Sequence, residues 1–180
     1  TDLDLWKAMA DAGLVGIALP DSARGGGYGF LEAAIVLEEV GRAAAPAPAL
    51  AVLALAGPAL AGAPELLEGV ATGDVIVSAA VHEPVGDPFA PATTVTDGRL
   101  TGTKVCVPHG LLARRFVVSA ADGVYAVEAD APGVTVERQD TTSGVPDAMV
   151  TFADAPARCL GGADALTRLL HHGIAGACVM

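Results

Sequence analysis

The chain has 180 residues, 52% hydrophobic and 17% charged, a balance too apolar for a disordered chain and sufficient to bury a sizeable core. Ten basic residues against 21 acidic ones leave a net charge of −11, and Lys7 and Lys104 are the only lysines, which argues against nucleic acid and against docking on anionic lipid. Three cysteines without a CxxC pair exclude a disulfide scaffold, and with no basic segment leading into an apolar export signal they point to a reducing, cytoplasmic compartment. The chain opens at Thr1 without an initiator Met and stops at Met180 inside an apolar stretch, so it is expected to be part of a longer polypeptide.

Residues 1–72 read as an N-terminal helical bundle. Leu5, Trp6, Met9 and Ala10 recur at helical spacing, with Asp2 or Asp4 to cap the start and Gly13 to stop the helix. A second helix is predicted from Phe30 to Ala44, with Phe30, Ala33, Leu37 and Val40 on one face and Glu32, Glu39 and Arg42 away from it. From Ala43 to Pro64 no residue is charged, a length that could cross a bilayer. Prolines at 46, 48, 58 and 64 and glycines at 57 and 62 would break the hydrogen bonds of a spanning helix, so short buried helices joined by proline corners are expected instead. Pro48 would start a third helix running to Gly57, and Pro64 a fourth running through Leu66, Leu67 and Val70 to Gly73.

Beyond Gly73 the pattern becomes extended, and residues 73–160 read as an antiparallel β-sandwich or barrel domain. VIVSAAV (75–81) is one strand, while 93–107 and 116–129 each place Asp-Gly between extended segments, a hairpin signal. VTVER (134–138) and MVTF (149–152) add two strands. From Gly161 to the end, Ala163, Leu166, Leu169, Leu170, Ile174 and Val179 restore helical spacing, the start of a C-terminal helix in 161–180. The fold class is α+β.

The residues alone offer little chemistry. RGGGYGF (24–30) precedes a helix, where amides can cradle an anion, but it lacks the features of a phosphate or dinucleotide loop and reads as a structural turn. His171 and His172 point about 100° apart on a helix, and neither they nor His82 and His109 stand at metal-ligand spacing, so no metal site is expected. Cys106, Cys159 and Cys178 read as small buried hydrophobes rather than nucleophiles. Ser22, Ser78, Ser119 and Ser143 have no nucleophile elbow and no His to activate them.

Read in order, several segments resemble the acyl-CoA dehydrogenase family. LWKAMADAGLVGIALPDSARGGGYGF (5–30) is similar to that family's opening helix and Gly-rich turn, and LEEVGR (37–42) to its second helix. PELLEGVATGDVIVSAAVHEP (64–84) resembles the approach to the "T-E-P" flavin loop, and DGRLTGTKVCVPHG (97–110) the hairpin that follows it. APGVTVE (131–137) and MVTFADAPARCLGG (149–162) resemble the last strands before the C-terminal domain.

The resemblance implies an FAD-dependent oxidoreductase that removes a proton from Cα and a hydride from Cβ of an acyl-CoA thioester. It also implies electron-transfer flavoprotein as electron acceptor and a homo- or hetero-oligomer. The catalytic base usually comes from a C-terminal domain, so no catalytic residue is assigned here. Flavin contacts carry over to Val81, His82, Cys106 and Pro108, and substrate contacts to Gly86 and Asp87. At these positions the chain departs from the family pattern. His82 stands for a Thr, Val85-Gly86-Asp87-Pro88 for Gly-Ser-Asp, Cys106 for an aromatic and Pro108 for a Thr. The departures are explained by divergence within the family or by a flavin-poor structural subunit of a heteromeric acyl-CoA dehydrogenase; a flavin monooxygenase on the same fold is a further alternative.

Overall fold

The computed structural model describes residues 1–142 and 144–180, and Ser143, named above among the serines, lies outside them. The chain opens with α1 (Leu3–Asp11), where the Leu5 N–H donates to the Asp2 carboxylate at 2.9 Å, so Asp2 rather than Asp4 is the cap. It leaves the helix through Gly13 at φ +78°. α2 (Phe30–Arg42) buries Ala33, Val36, Leu37 and Val40, while Glu32 reaches back to accept from the Gly29 N–H at 2.9 Å.

The charge-free stretch becomes the centre of the helical half. Leu50–Ala56 forms a π-helical segment that runs directly into α3 (Gly57–Leu60). Every residue from Ala51 to Ala56 is buried, because α2, the first β-strand and the C-terminal helix all touch the segment. A helix that is apolar all round is thus a core helix here, and among the described residues no helix is long and apolar enough to cross a membrane. Pro64 starts only a 3₁₀ turn, Pro64–Leu67, not a helix to Gly73. Gly69 and Gly73 both take positive φ, which no α-helix accommodates.

Two four-stranded sheets follow. One contains β1 (Ile76–Ala80), β4 (Ala113–Ala120), β5 (Gly123–Glu128) and β8 (Arg158–Gly161), in the order β1-β4-β5-β8. The other contains β2 (Thr94–Thr96), β3 (Arg99–Val107), β6 (Val134–Arg138) and β7 (Ala148–Pro156), in the order β2-β3-β7-β6. The first sheet is buried on both faces. Val77, Ala79, Val117, Val124 and Ala126 join the helical core, whereas Phe116, Val118, Tyr125 and Val127 meet Leu100, Val150 and Phe152 of the second sheet. This double burial explains why VIVSAAV shows no polar alternation. Phe116 and Phe152 meet edge to face at 6.4 Å in the core between the sheets.

Three details depart from expectation. β1 pairs with β4 in parallel, because the chain between them crosses to the other sheet and returns instead of turning in a hairpin. β8, read from sequence only as an exit segment, is a strand against β5. Asp97 and Gly98 both take positive φ and form the expected turn between β2 and β3. The second Asp-Gly does not: Ala120 pairs with Gly123, so Ala121 and Asp122 make the turn. Gly123 is small because a side chain there would strike the Gly161 carbonyl on β8.

The C-terminal helix, α4 (Ala163–Val179), buries Leu166, Leu169 and Leu170. Ile174 and Val179 lie on its exposed side, so the last part of its apolar pattern does not face this core.

Candidate functional site

The candidate site lies where the chain leaves β1, crosses between the sheets through residues 81–93, and meets the middle of β3. Val81 is buried and its carbonyl accepts from the Ser119 hydroxyl at 3.3 Å. The His82 carbonyl accepts from the Val105 N–H at 2.9 Å, and the Pro108 carbonyl accepts from the Ser78 hydroxyl at 2.5 Å. These bonds bring Val81, His82, Cys106 and Pro108 onto one neighbourhood. The His82 and Cys106 side chains face solvent.

Beneath this face sits an ion pair that motif reading missed. The Lys104 ammonium is fully buried and donates to Glu83 Oε1 at 2.8 Å and to the Ser119 hydroxyl at 2.9 Å. Glu83 also accepts from the Thr93 N–H at 2.9 Å, the Thr93 hydroxyl at 2.6 Å and the Ala92 N–H at 2.8 Å. Burial works against ionising Glu83, but the bonds from Lys104, Thr93 and Ala92 outweigh it and hold the carboxyl down to about 2. Burial pushes the Lys104 ammonium below its ordinary value against the pull of Glu83. Gly102 belongs to the same construction: a Cβ there would stand 2.9 Å from Thr93 Cβ. Sequence held one usable signal. In β3, Lys104 has the parity of the inward Leu100, and an inward lysine demands a buried counter-charge.

β3 bulges between Lys104 and Val107, and Cys106 at the bulge takes φ +49°. Its N–H donates to Gln139 Oε1 at 2.6 Å. The bulge turns its thiol outward. Cys159 is exposed on the edge strand β8 and Cys178 on the outer face of α4, so none of the three is the buried hydrophobe expected from cysteine's usual habit. His109 is buried, accepts or donates at 2.9 Å through Nδ1 with the Thr1 hydroxyl, and is pushed below its ordinary pKa by burial.

Of the substrate candidates, Gly86 and Asp87 stand on the exposed tip of the crossover loop. The Phe89 N–H donates to the Asp87 carboxylate at 2.9 Å, and the Ala90 N–H to the Asp87 carbonyl at 2.8 Å, so Asp87 shapes the tip turn. The Phe89 ring lies 5.8 Å from His171, while His172 stacks on Phe30 at 4.7 Å. Both histidines thus hold α4 to its neighbours, and among the described residues no three metal-ligating side chains gather. The amides of Gly25, Gly26, Gly27 and Tyr28 are all taken by carbonyls of residues 16–20, which makes the Gly-rich stretch a turn and leaves it no anion cradle.

Residues 1–68 match the family model described as acyl-CoA dehydrogenase, N-terminal domain. The acyl-CoA dehydrogenase FadE27 of Mycobacterium tuberculosis is 38% identical over 152 residues, covering 78% of this chain and 41% of that protein. A chain of a variant of the Tcur3481-Tcur3483 steroid ACAD superposes with a TM-score of 0.92 at 40% identity, covering 99% of this chain and 53% of that one. The chain belongs to the acyl-CoA dehydrogenase family. The ChsE4-ChsE5 complex from Mycobacterium tuberculosis supplies a second match, with a TM-score of 0.81, 31% identity, and coverage of 93% of this chain and 50% of that one. The chain spans about half the length of the relatives it matches, or less.

Acyl-CoA dehydrogenases are flavin-dependent. A flavin ring needs hydrogen-bond donors for its carbonyl oxygens and N5, and a flat surface against one face. At this β3 face the Cys106 N–H is already given to Gln139 and Pro108 has neither N–H nor hydroxyl. Cys106 offers no aromatic surface, and the His82 carbonyl is itself an acceptor in use. Cys106 and Pro108 thus offer the ring neither a free backbone donor nor an aromatic face, while the exposed His82 imidazole is planar and carries a donor.

Proposed function

We propose that this chain is one member of a heteromeric acyl-CoA dehydrogenase, in which a second chain of the same family holds the flavin. This chain contributes packing surface and, through the loop tip at Gly86 and Asp87, part of the acyl-CoA pocket. The assembly carries out α,β-dehydrogenation of an acyl-CoA thioester and passes electrons to electron-transfer flavoprotein. The observation that carries this reading is the donor-poor β3 face, where the Cys106 amide is spent on Gln139 and Pro108 has none to give. Similarity to a chain of the Tcur3481-Tcur3483 steroid ACAD supports both a two-chain assembly and a steroid-bearing acyl-CoA as the first substrate to assay.

A second reading keeps FAD on this chain itself. It is favoured by the Glu83-Pro84 pair and the Lys104 hairpin, which match the family's pattern and are joined in the structure as one network. Purification of the full-length protein alone and co-expressed with a neighbouring family chain separates the two. The heteromeric reading expects a colourless protein alone, also after FAD is added, and a yellow, active complex on co-expression. Flavin bound near stoichiometrically by this chain alone, or no stable complex with the second chain, overturns it.

A further inference from the structure

We infer that Lys104 and Glu83 are a positioning pair: their buried contact fixes the crossover loop 83–93 and thereby sets where Val85, Gly86 and Asp87 stand. The consequence for acyl-CoA rests on the function proposed above; the consequence for the loop does not.

The loop contains no strand or helix between β1 and β2, so its shape depends on its anchors. Glu83 sits at its start and gathers the amides of Ala92 and Thr93 at its end, closing the base as a ring of bonds around one carboxylate. Lys104 is the charge that makes this arrangement tolerable: it compensates Glu83 and ties it through Ser119 to the Val81 carbonyl. The Ala121 N–H adds a bond to the Thr93 carbonyl at 2.8 Å, so both sheets grip the loop base. The tip, by contrast, exposes Val85 almost wholly and Phe89 by nearly half. A loop closed tightly at its base and apolar at its tip is built to present that tip.

Stability alone does not call for such a pair. Well-packed apolar residues commonly replace a buried ion pair without loss, whereas removing one partner strands a charge. That contrast supplies the test. In the full-length protein and its complex, Lys104→Met alone is compared with the double variant E83M/K104M by thermal melting, by amide hydrogen exchange and by acyl-CoA kinetics. In the wild type the Ala92 and Thr93 amides exchange as slowly as those of β4. The double variant regains most of the melting temperature lost by Lys104→Met, yet these two amides exchange at least about tenfold faster, since methionine offers no acceptor. KM for acyl-CoA rises about tenfold while kcat stays within about twofold, because the loop is misplaced and the chemistry is not.

A double variant that keeps both the amide protection and KM overturns the inference. So does a wild type whose Ala92 and Thr93 amides exchange like those of Gly86 and Asp87, a result that needs no variant to fold. If no acyl-CoA is turned over by the wild-type complex, the functional reading fails while the exchange data still decide the pair.

Discussion

Two glycines on α4 face the buried π-helical segment, and the structure assigns opposite signs to the same substitution at each. At Gly176 an added Cβ would lie 2.6 Å from Ala54 Cβ and 3.1 to 3.2 Å from methyl groups of Leu50 and Leu37. The Ala54 methyl has no rotamer to move it aside and is completely buried, so relief requires shifting one helix against the other. At Gly173 an added Cβ would overlap Leu55 Cδ2, the end of a flexible side chain that borders a cavity of about 200 Å³. Alanine gains about 1 kcal/mol over glycine in a helix interior. At Gly176 an overpacking cost of about 1–3 kcal/mol offsets or exceeds that gain, whereas at Gly173 Leu55 can rotate into the cavity and the gain survives. Thermal unfolding followed by circular dichroism at 222 nm should therefore show Gly176→Ala melting below wild type by up to about 8 °C, and Gly173→Ala at or above it. If Gly176→Ala raises the melting temperature as much as Gly173→Ala, α4 does not approach the segment closely enough for a Cβ at 176 to meet Ala54.

Acid should weaken the protein through Glu83. Its folded carboxyl is held at about 2 against an ordinary 4.5, so its stabilisation is complete above about 4.5 and is lost as pH falls toward about 2. That difference is worth about 3 kcal/mol, and the urea midpoint of Glu83→Gln should fall less steeply than wild type between pH 5 and about 2.5; parallel curves would refute it. Phe152→Ala should cost about 3–5 kcal/mol, because the ring is 1% exposed and fills the core between the sheets against Phe116. A loss below about 1 kcal/mol by urea titration would mean that the two sheets do not pack there.

Much of the fold was legible because apolar spacing reports which faces are buried. α1, α2, α4 and the strands at 134–138 and 149–152 appear where periodicity put them. The charge-free stretch was legible for a different reason: prolines and glycines excluded a membrane span, which left burial. What sequence missed depends on contacts between distant segments. Nothing local marks β8 as a strand; it exists because Gly123 leaves room for it beside β5. Nothing local tells that Cys106 sits on a bulge, since the bulge follows from β3 pairing with β7 across 41 or more residues. Cysteine's general preference for burial therefore gave the wrong answer three times. The resemblance located the candidate site, but only the structure revealed that Gln139 already holds the Cys106 amide.

The charge inventory bears on how an acyl-CoA would be held. CoA presents phosphates that need positive groups, and this chain has ten basic residues. Among the described residues, seven of them have acidic partners: Lys7, Arg42, Lys104, Arg114, Arg115, Arg138 and Arg158. Most of those pairs are exposed and individually weak, so a phosphate could displace a carboxylate from them, but each exchange would return little. Of the remainder, Arg99 is tied to the Asp154 carbonyl on the second sheet, and Arg24 lies in the helical half. Arg168 stands on α4 one turn before the His172 that packs on Phe30. Arg24 and Arg99 do not adjoin the tip at Gly86 and Asp87 in sequence, whereas Arg168 stands three residues before His171, whose ring lies 5.8 Å from Phe89 of the loop. Under the function proposed above, a chain in which most basic residues already have acidic partners is suited to share its ligand. On that reading the phosphates fall to the second chain, the one proposed to hold the flavin.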